Sequence, residues 1–176
     1  MAWLANPFAY VAMYTLLAVM PGIAHKLSLS PTRVGLCCSI WLFARLGSFA
    51  WLWHWSGWHY RFRWLLLAFV ALIVSFLLLL LAGKLWIFIL AQIFFGLATG
   101  LIYYSSLFYS MDVGDASAEH GGFHEAAIGA GIFAGPAIGA VSLQLLPHDS
   151  NAEAYAVSGL LLVGLAGLLF LWRTQR

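Results

Sequence analysis

A chain of 176 residues in which 64% are hydrophobic and only 8% charged, with a mean hydropathy of +0.93, lacks the polar surface that a soluble domain of this length needs. The net charge of +2 comes without a basic patch for nucleic acid, and no phosphate-binding loop occurs. Composition therefore specifies an integral membrane protein. A helix needs about 20 apolar residues to cross a hydrocarbon core about 30 Å thick, and the chain accommodates six such crossings with short connections. Runs such as Leu65 to Leu81 are apolar throughout, without the alternation of a barrel strand, so the spans are helices.

The first apolar stretch, near residues 3 to 24, carries Asn6, Tyr10 and Tyr14 and ends in Met20-Pro21-Gly22. No basic residue precedes it, and its run is long and interrupted, which argues for a span and against a cleaved signal peptide. Ser30-Pro31 in the next connection reads as an N-cap with proline at the first helical position. The second span, near 35 to 55, holds Arg45 and Ser48. Trp51, Trp53, Trp55, Trp58 and Trp64 surround the connection after it, as amphipathic rings do at headgroup depth, and read as a membrane boundary rather than a binding site. The third span, near 64 to 82, has Ser75 as its one hydroxyl.

A fourth span, near 85 to 109, carries Gln92, Thr99 and Tyr103, and a fifth, near 122 to 146, carries His124, Glu125 and a ladder of glycines. Between them, Ser110 to Gly121 is the longest connection and holds Asp112, Asp115, Glu119 and His120. The sixth span, near 154 to 172, has little polar beyond Tyr155 and Ser158. No linker suggests a second domain, so residues 1–176 make one transmembrane domain. The six spans form two triplets whose third member is bland. Polar groups in a bilayer need protein or water around them, so the first, second, fourth and fifth helices are expected to surround a wet space. Arg61, Arg63, Arg173 and Arg176 lie on one side, and Lys26, Arg33 and Lys84 on the other. The clustering of the first set places both termini in the cytoplasm.

Arg45 stands ten residues inside its span, too deep to snorkel easily, where an arginine costs at least about 2.5–3.5 kcal/mol unless it pairs or meets water. It is either an internal clamp between helices or a substrate contact, and Glu125 is the acidic residue within a span that it would pair with. On the fourth span, Gln92, Gly96, Thr99, Tyr103, Ser106 and Ser110 recur at spacings of four, three, four, three and four, which puts them on one helical face. Gly96 and Ser106 read as helix packing. Gln92, Thr99 and Tyr103 read as cavity lining, with packing as the alternative. Gly131, Gly135 and Gly139 repeat every four residues for close helix approach, and Pro136 removes a backbone donor and bends the helix.

Other patterns fail on spacing. His120 and His124 could share a helical face with Glu125, but the position three after Glu125 is Ile128 and not the second histidine of a zinc protease, so no metal is expected. Cys37 and Cys38 are adjacent within a span and lack Cys-x-x-Cys spacing. Ser110 with His124 lacks the Gly-x-Ser-x-Gly turn of a serine hydrolase. Neither an enzyme nor a cofactor is expected.

The whole chain resembles the C-terminal six-helix half of a major facilitator superfamily permease. Tyr10 to Gly35, with Met20-Pro21-Gly22, Leu27-Ser28-Leu29-Ser30 and Val34-Gly35, is similar to the seventh helix of such transporters and its following loop, and Gly131 to Gly139 is similar to their eleventh helix. Gly57-Trp58-His59-Tyr60-Arg61-Phe62-Arg63 keeps the basic residues of the family's cytoplasmic signature but lacks its aspartate. The resemblance implies two inverted three-helix repeats, with the first, second, fourth and fifth helices as the cavity wall. It also implies alternating access with a second six-helix half: a separate chain, a missing N-terminal half or a second copy.

The expected function is transport of a small solute across an inner or plasma membrane. Arg45 would contact an anion or carboxylate, with Gln92, Thr99, Tyr103, Tyr10 and Tyr14 as lining groups and Glu125 or His124 in proton coupling. The alternative is a non-transporting membrane scaffold or assembly subunit, in which packing consumes the whole polar stripe of the fourth helix.

Overall fold

Long apolar runs in this chain give the backbone one way to satisfy its polar groups, hydrogen bonding within a helix. The structure, a computed structural model, describes residues 1–112, 118–149 and 151–174, and among them there is no strand. The helices are α1 (Ala2–Lys26), α2 (Pro31–Cys38), α3 (Ile40–His54), α4 (Phe62–Leu81), α5 (Leu85–Asp112), α6 (Ala118–Leu145) and α7 (Ala152–Thr174), with a 3-10 turn at Ser56–Trp58. Six segments are long and apolar enough to cross a membrane, α2 and α3 together making the second of them, Thr32–His54. Asp115 and Arg176, and the side chains of Glu119 and His120, lie outside the described residues.

Two local features differ from the sequence expectation. The first helix does not end at Met20-Pro21-Gly22 but continues to Lys26 with Pro21 inside it. Losing one donor costs less than breaking a helix in hydrocarbon, where every freed backbone group needs a partner. Its end is a Schellman turn: Ser28 takes a left-handed conformation (φ 52°), and the amides of Ser28 and Leu29 donate to the carbonyls of His25 and Ala24. The second span is interrupted at Ser39, whose hydroxyl donates to the carbonyls of Gly35 and Leu36, both at 3.0 Å. Such side-chain bonds compete with the helical ladder and bend it.

The most extensive helix pairings are α3 with α5, α1 with α6, and α4 with α5. The first two rest on glycine. A Cβ on Gly96 would strike the Trp41 carbonyl oxygen, and one on Gly100 would lie 2.7 Å from Cβ of Ser48. On α6, a Cβ at Gly131 would come 2.5 Å from the Pro7 carbonyl oxygen and one at Gly135 2.6 Å from that of Val11. Gly139 instead faces the Glu153 carboxylate of α7. Pro136 sits inside α6, which remains one continuous helix, and its side chain is exposed.

The bland helix α4 is not peripheral by burial. Leu65, Phe69, Leu72, Phe76 and Leu79 pack into the centre of the bundle, and its one hydroxyl, Ser75, bonds back to Ala71 of its own helix at 2.6 Å. The least covered crossings are Thr32–His54 and Gly121–Leu145.

Gly96→Ala and Gly131→Ala should each destabilise the protein in detergent by about 1–3 kcal/mol, because the backbone opposite must move away. Gly129→Ala, where nothing lies within 4 Å, should be neutral. Thermal unfolding of the three variants distinguishes them.

Candidate functional site

Four helices carry polar side chains to one depth. Tyr10 lies eight residues after the start of α1, Arg45 nine before the end of α3, Tyr103 nine before the end of α5, and His124 six after the start of α6. At 1.5 Å per residue this is a layer about 9–14 Å in from the face that bears both termini. Neither α4 nor α7 contributes to it.

Arg45 is its centre. The guanidinium donates to the Tyr10 hydroxyl and the Met13 sulfur, each at 3.3 Å, and lies 4.9 Å from the Tyr103 ring and 5.6 Å from those of Tyr10 and Phe49. Cation–π contacts of about 0.5–2 kcal/mol each offset part of the cost of a charge at this depth. They do not neutralise it. Among the described residues no carboxylate lies within 4 Å of Arg45, and its buried Nε has no partner. The expected pairing with Glu125 therefore does not occur. Glu125 faces outward, with its side chain 72% exposed, and its carboxylate lies 3.5 Å from His124 Nδ1 instead.

Tyr14 stacks on Tyr10 at 6.4 Å, and Tyr103 stands edge-on to Tyr10 at 6.4 Å and 5.8 Å from the His124 ring. Tyr10, Tyr14, Arg45 and Tyr103 are all half-buried. His124 is buried, with Nε2 3.4 Å from the Asn6 amide nitrogen. Both His124 contacts are satisfied when its proton is on Nδ1, donating to Glu125 while Nε2 accepts from Asn6. The Asn6 carbonyl oxygen is buried without a partner. Rotating that amide by half a turn would present an acceptor to a protonated His124, so either protonation state of the imidazole can be hydrogen-bonded.

Gln92 and Thr99, expected as lining groups, are both buried. Gln92 is fully buried and donates to the Cys37 carbonyl at 2.6 Å, bridging α5 to the interrupted second span. Thr99 is 1% exposed, and its hydroxyl bonds back to Phe95 and Gly96 of its own helix. On this helical face Gln92, Gly96, Thr99, Ser106 and Ser110 are all buried and Tyr103 alone is half-exposed; α3 crosses α5 over Gly96 and Gly100. Met13 and Phe49 belong to the site although the sequence did not single them out, and Asn6, noted there as a polar residue of the first span, joins them. Their spacing offers a signal: Asn6, Tyr10, Met13 and Tyr14 share one face of α1, and Phe49 is one turn beyond Arg45.

In a protein whose Cys37 and Cys38 have been replaced, Tyr103→Cys should react with a membrane-impermeant thiol reagent. Thr99→Cys should resist it at least tenfold. Equal labelling of both would contradict the packed seam.

Among the described residues no group of three or more histidine, cysteine, aspartate or glutamate side chains could hold a metal ion. No protein-family model matches the chain, and no curated protein or solved structure matches it either, so the Arg45 layer itself carries the functional assignment.

Proposed function

We propose that this protein is one six-helix half of a major facilitator-type secondary transporter, and that it binds a small organic anion at Arg45 and moves it by alternating access. The observation that carries this is an arginine deep in the span with no carboxylate within 4 Å among the described residues, set in a half-exposed layer built by the first, second, fourth and fifth crossings. A guanidinium left with spare donors in a low-dielectric site is suited to a carboxylate or phosphate, which it can take in a bidentate pair.

Helix pairing supports the same architecture. Exchanging the first triplet for the second turns the α1–α6 pairing into the α5–α3 pairing, and these are the two most extensive in the bundle. That is the pattern expected of two interleaved three-helix repeats. The exposed faces of Thr32–His54 and Gly121–Leu145 are where a second six-helix half would pack, whether a separate chain, an N-terminal half or a second copy. Both termini lie on the cytoplasmic side of an inner or plasma membrane in this proposal, with Arg61, Arg63 and Arg173 towards that side.

His124, with Asn6 and Glu125, is the proton-coupling element. Its imidazole finds partners in either charge state, and its ring lies against Tyr103, which also touches Arg45. A proton on His124 would add positive charge next to the anion site and favour the loaded state.

Burial of Gln92 and Thr99 favours a second role, a non-transporting membrane scaffold whose polar stripe serves packing. Arg45→Met separates the two. In the transporter, removing an uncompensated charge leaves stability unchanged or raised, while uptake of the anion into proteoliposomes falls at least tenfold, as expected when a charge-assisted contact of about 1.5–3 kcal/mol is lost. In the scaffold, Arg45→Met lowers the unfolding temperature. Assay of the wild-type chain, alone and with a co-expressed six-helix half, against a panel of labelled organic carboxylates supplies the substrate. No uptake of any panel member in either form would refute the transporter.

A further inference from the structure

The tryptophan-rich segment between α3 and α4 does more than mark a membrane boundary. Trp58, expected at the lipid headgroups, is 2% exposed and sits among Tyr104, Phe108 and Tyr109 at ring distances of 5.6, 5.2 and 6.2 Å. Next to it is a half-open cavity of about 550 Å³ at the terminus-bearing end of the bundle, walled by Trp3, Trp58, Tyr60, Trp64 and Tyr109, with Arg61 in its lining. The volume falls within the about 300–1,000 Å³ of sites that hold small ligands.

The wall is held in place. Tyr60 adopts a left-handed backbone conformation (φ 53°) that costs a non-glycine residue energy, and two bonds secure it: its amide donates to the Tyr109 hydroxyl at 2.7 Å, and its own hydroxyl donates to Asp112. Those bonds tie the connecting segment to the end of α5 and keep the space beneath it open. Charge is one-sided. Among the described residues no carboxylate is in the lining, Asp112 being taken by Tyr60, while Arg61 borders the space and the Arg63 guanidinium lies 5.6 Å from the Trp64 ring.

We propose that this cavity binds one anionic phospholipid, with its phosphate at Arg61 and the upper part of an acyl chain against the tryptophan faces. Three features select a lipid over a soluble anion. The lining is mostly aromatic and aliphatic, the cavity lies where the spans end, and it is half-open, so that a chain longer than the cavity can extend out of it. Anionic headgroups are attracted to arginines at that depth. The site is separate from the Arg45 layer and does not depend on what that layer binds.

Native mass spectrometry of the detergent-purified protein with added phosphatidylglycerol or phosphatidylcholine tests this. One phosphatidylglycerol should remain bound under activation that strips phosphatidylcholine. Arg61→Gln, an exposed position, should weaken that adduct about fivefold, while Arg33→Gln at the opposite end of the bundle should leave it intact. Equal retention of the two lipids would overturn the proposal, as would an Arg61→Gln adduct as strong as wild type or an equal loss in Arg33→Gln. Glycerol 3-phosphate, which has the anionic headgroup but no acyl chain, displacing phosphatidylglycerol would overturn the assignment to a lipid.

Discussion

Close approach of helix backbones at four glycines sets the geometry on which everything else in this bundle depends. Water does not drive helices together inside a bilayer, because lipid tails are as apolar as leucine, so association rests on van der Waals packing and on whatever polar groups are brought within reach. Gly96 and Gly100 let α5 lie directly on the α3 backbone, and Gly131 and Gly135 let α6 lie on α1. The same contacts position the site. Gly100 packs against Arg45 and Ser48, and Gly131 packs against Tyr10, so the residues beneath the glycines are the ones that meet in the polar layer.

The layer that results is unusual in its charge balance. A buried arginine in a protein built only for stability is commonly paired, since removing one partner of a buried pair leaves an uncompensated charge. Arg45 instead has aromatic faces, a hydroxyl and a thioether, none of which carries a full negative charge. The arrangement tolerates the cation while leaving its strongest interaction unmade. His124 adds a group that can gain charge a short distance away, through the ring of Tyr103. Arg45 and His124 are in this way joined through one aromatic ring without a direct bond between them.

At the face that bears the termini, a second aromatic assembly has a different character. Trp51 stacks on Trp55, Trp55 meets Trp64 edge-on, and Phe62 stacks on Trp172, so the ends of α3, α4 and α7 are fastened by ring contacts. The rigid indoles, with one polar atom each, suit a boundary between hydrocarbon and water. Here they also enclose space, because the connection between α3 and α4 folds Trp58 inward.

What the sequence by itself determined is the set of apolar runs, and with it the membrane class, the six helical crossings and the two triplets with a polar-poor third member. Those features depend on composition along a single helix and need no knowledge of neighbours. Arg45, Tyr10 and Tyr103 were legible for the same reason, as polar groups that hydrocarbon penalises wherever they point. Only the tertiary structure decided which of them face one another. Gln92 and Thr99 lie on the same helical face as Tyr103, yet the first two are buried beside the crossing at Gly96 and Gly100, while Tyr103, beyond it, stays half-exposed with its ring against Arg45 and Phe49 of α3. Glu125 was the acidic residue expected beside Arg45, but the rotation of α6 on α1 turns it outward and presents His124. Helical periodicity records which residues share a face, and it contains nothing about where along that face a neighbouring helix crosses.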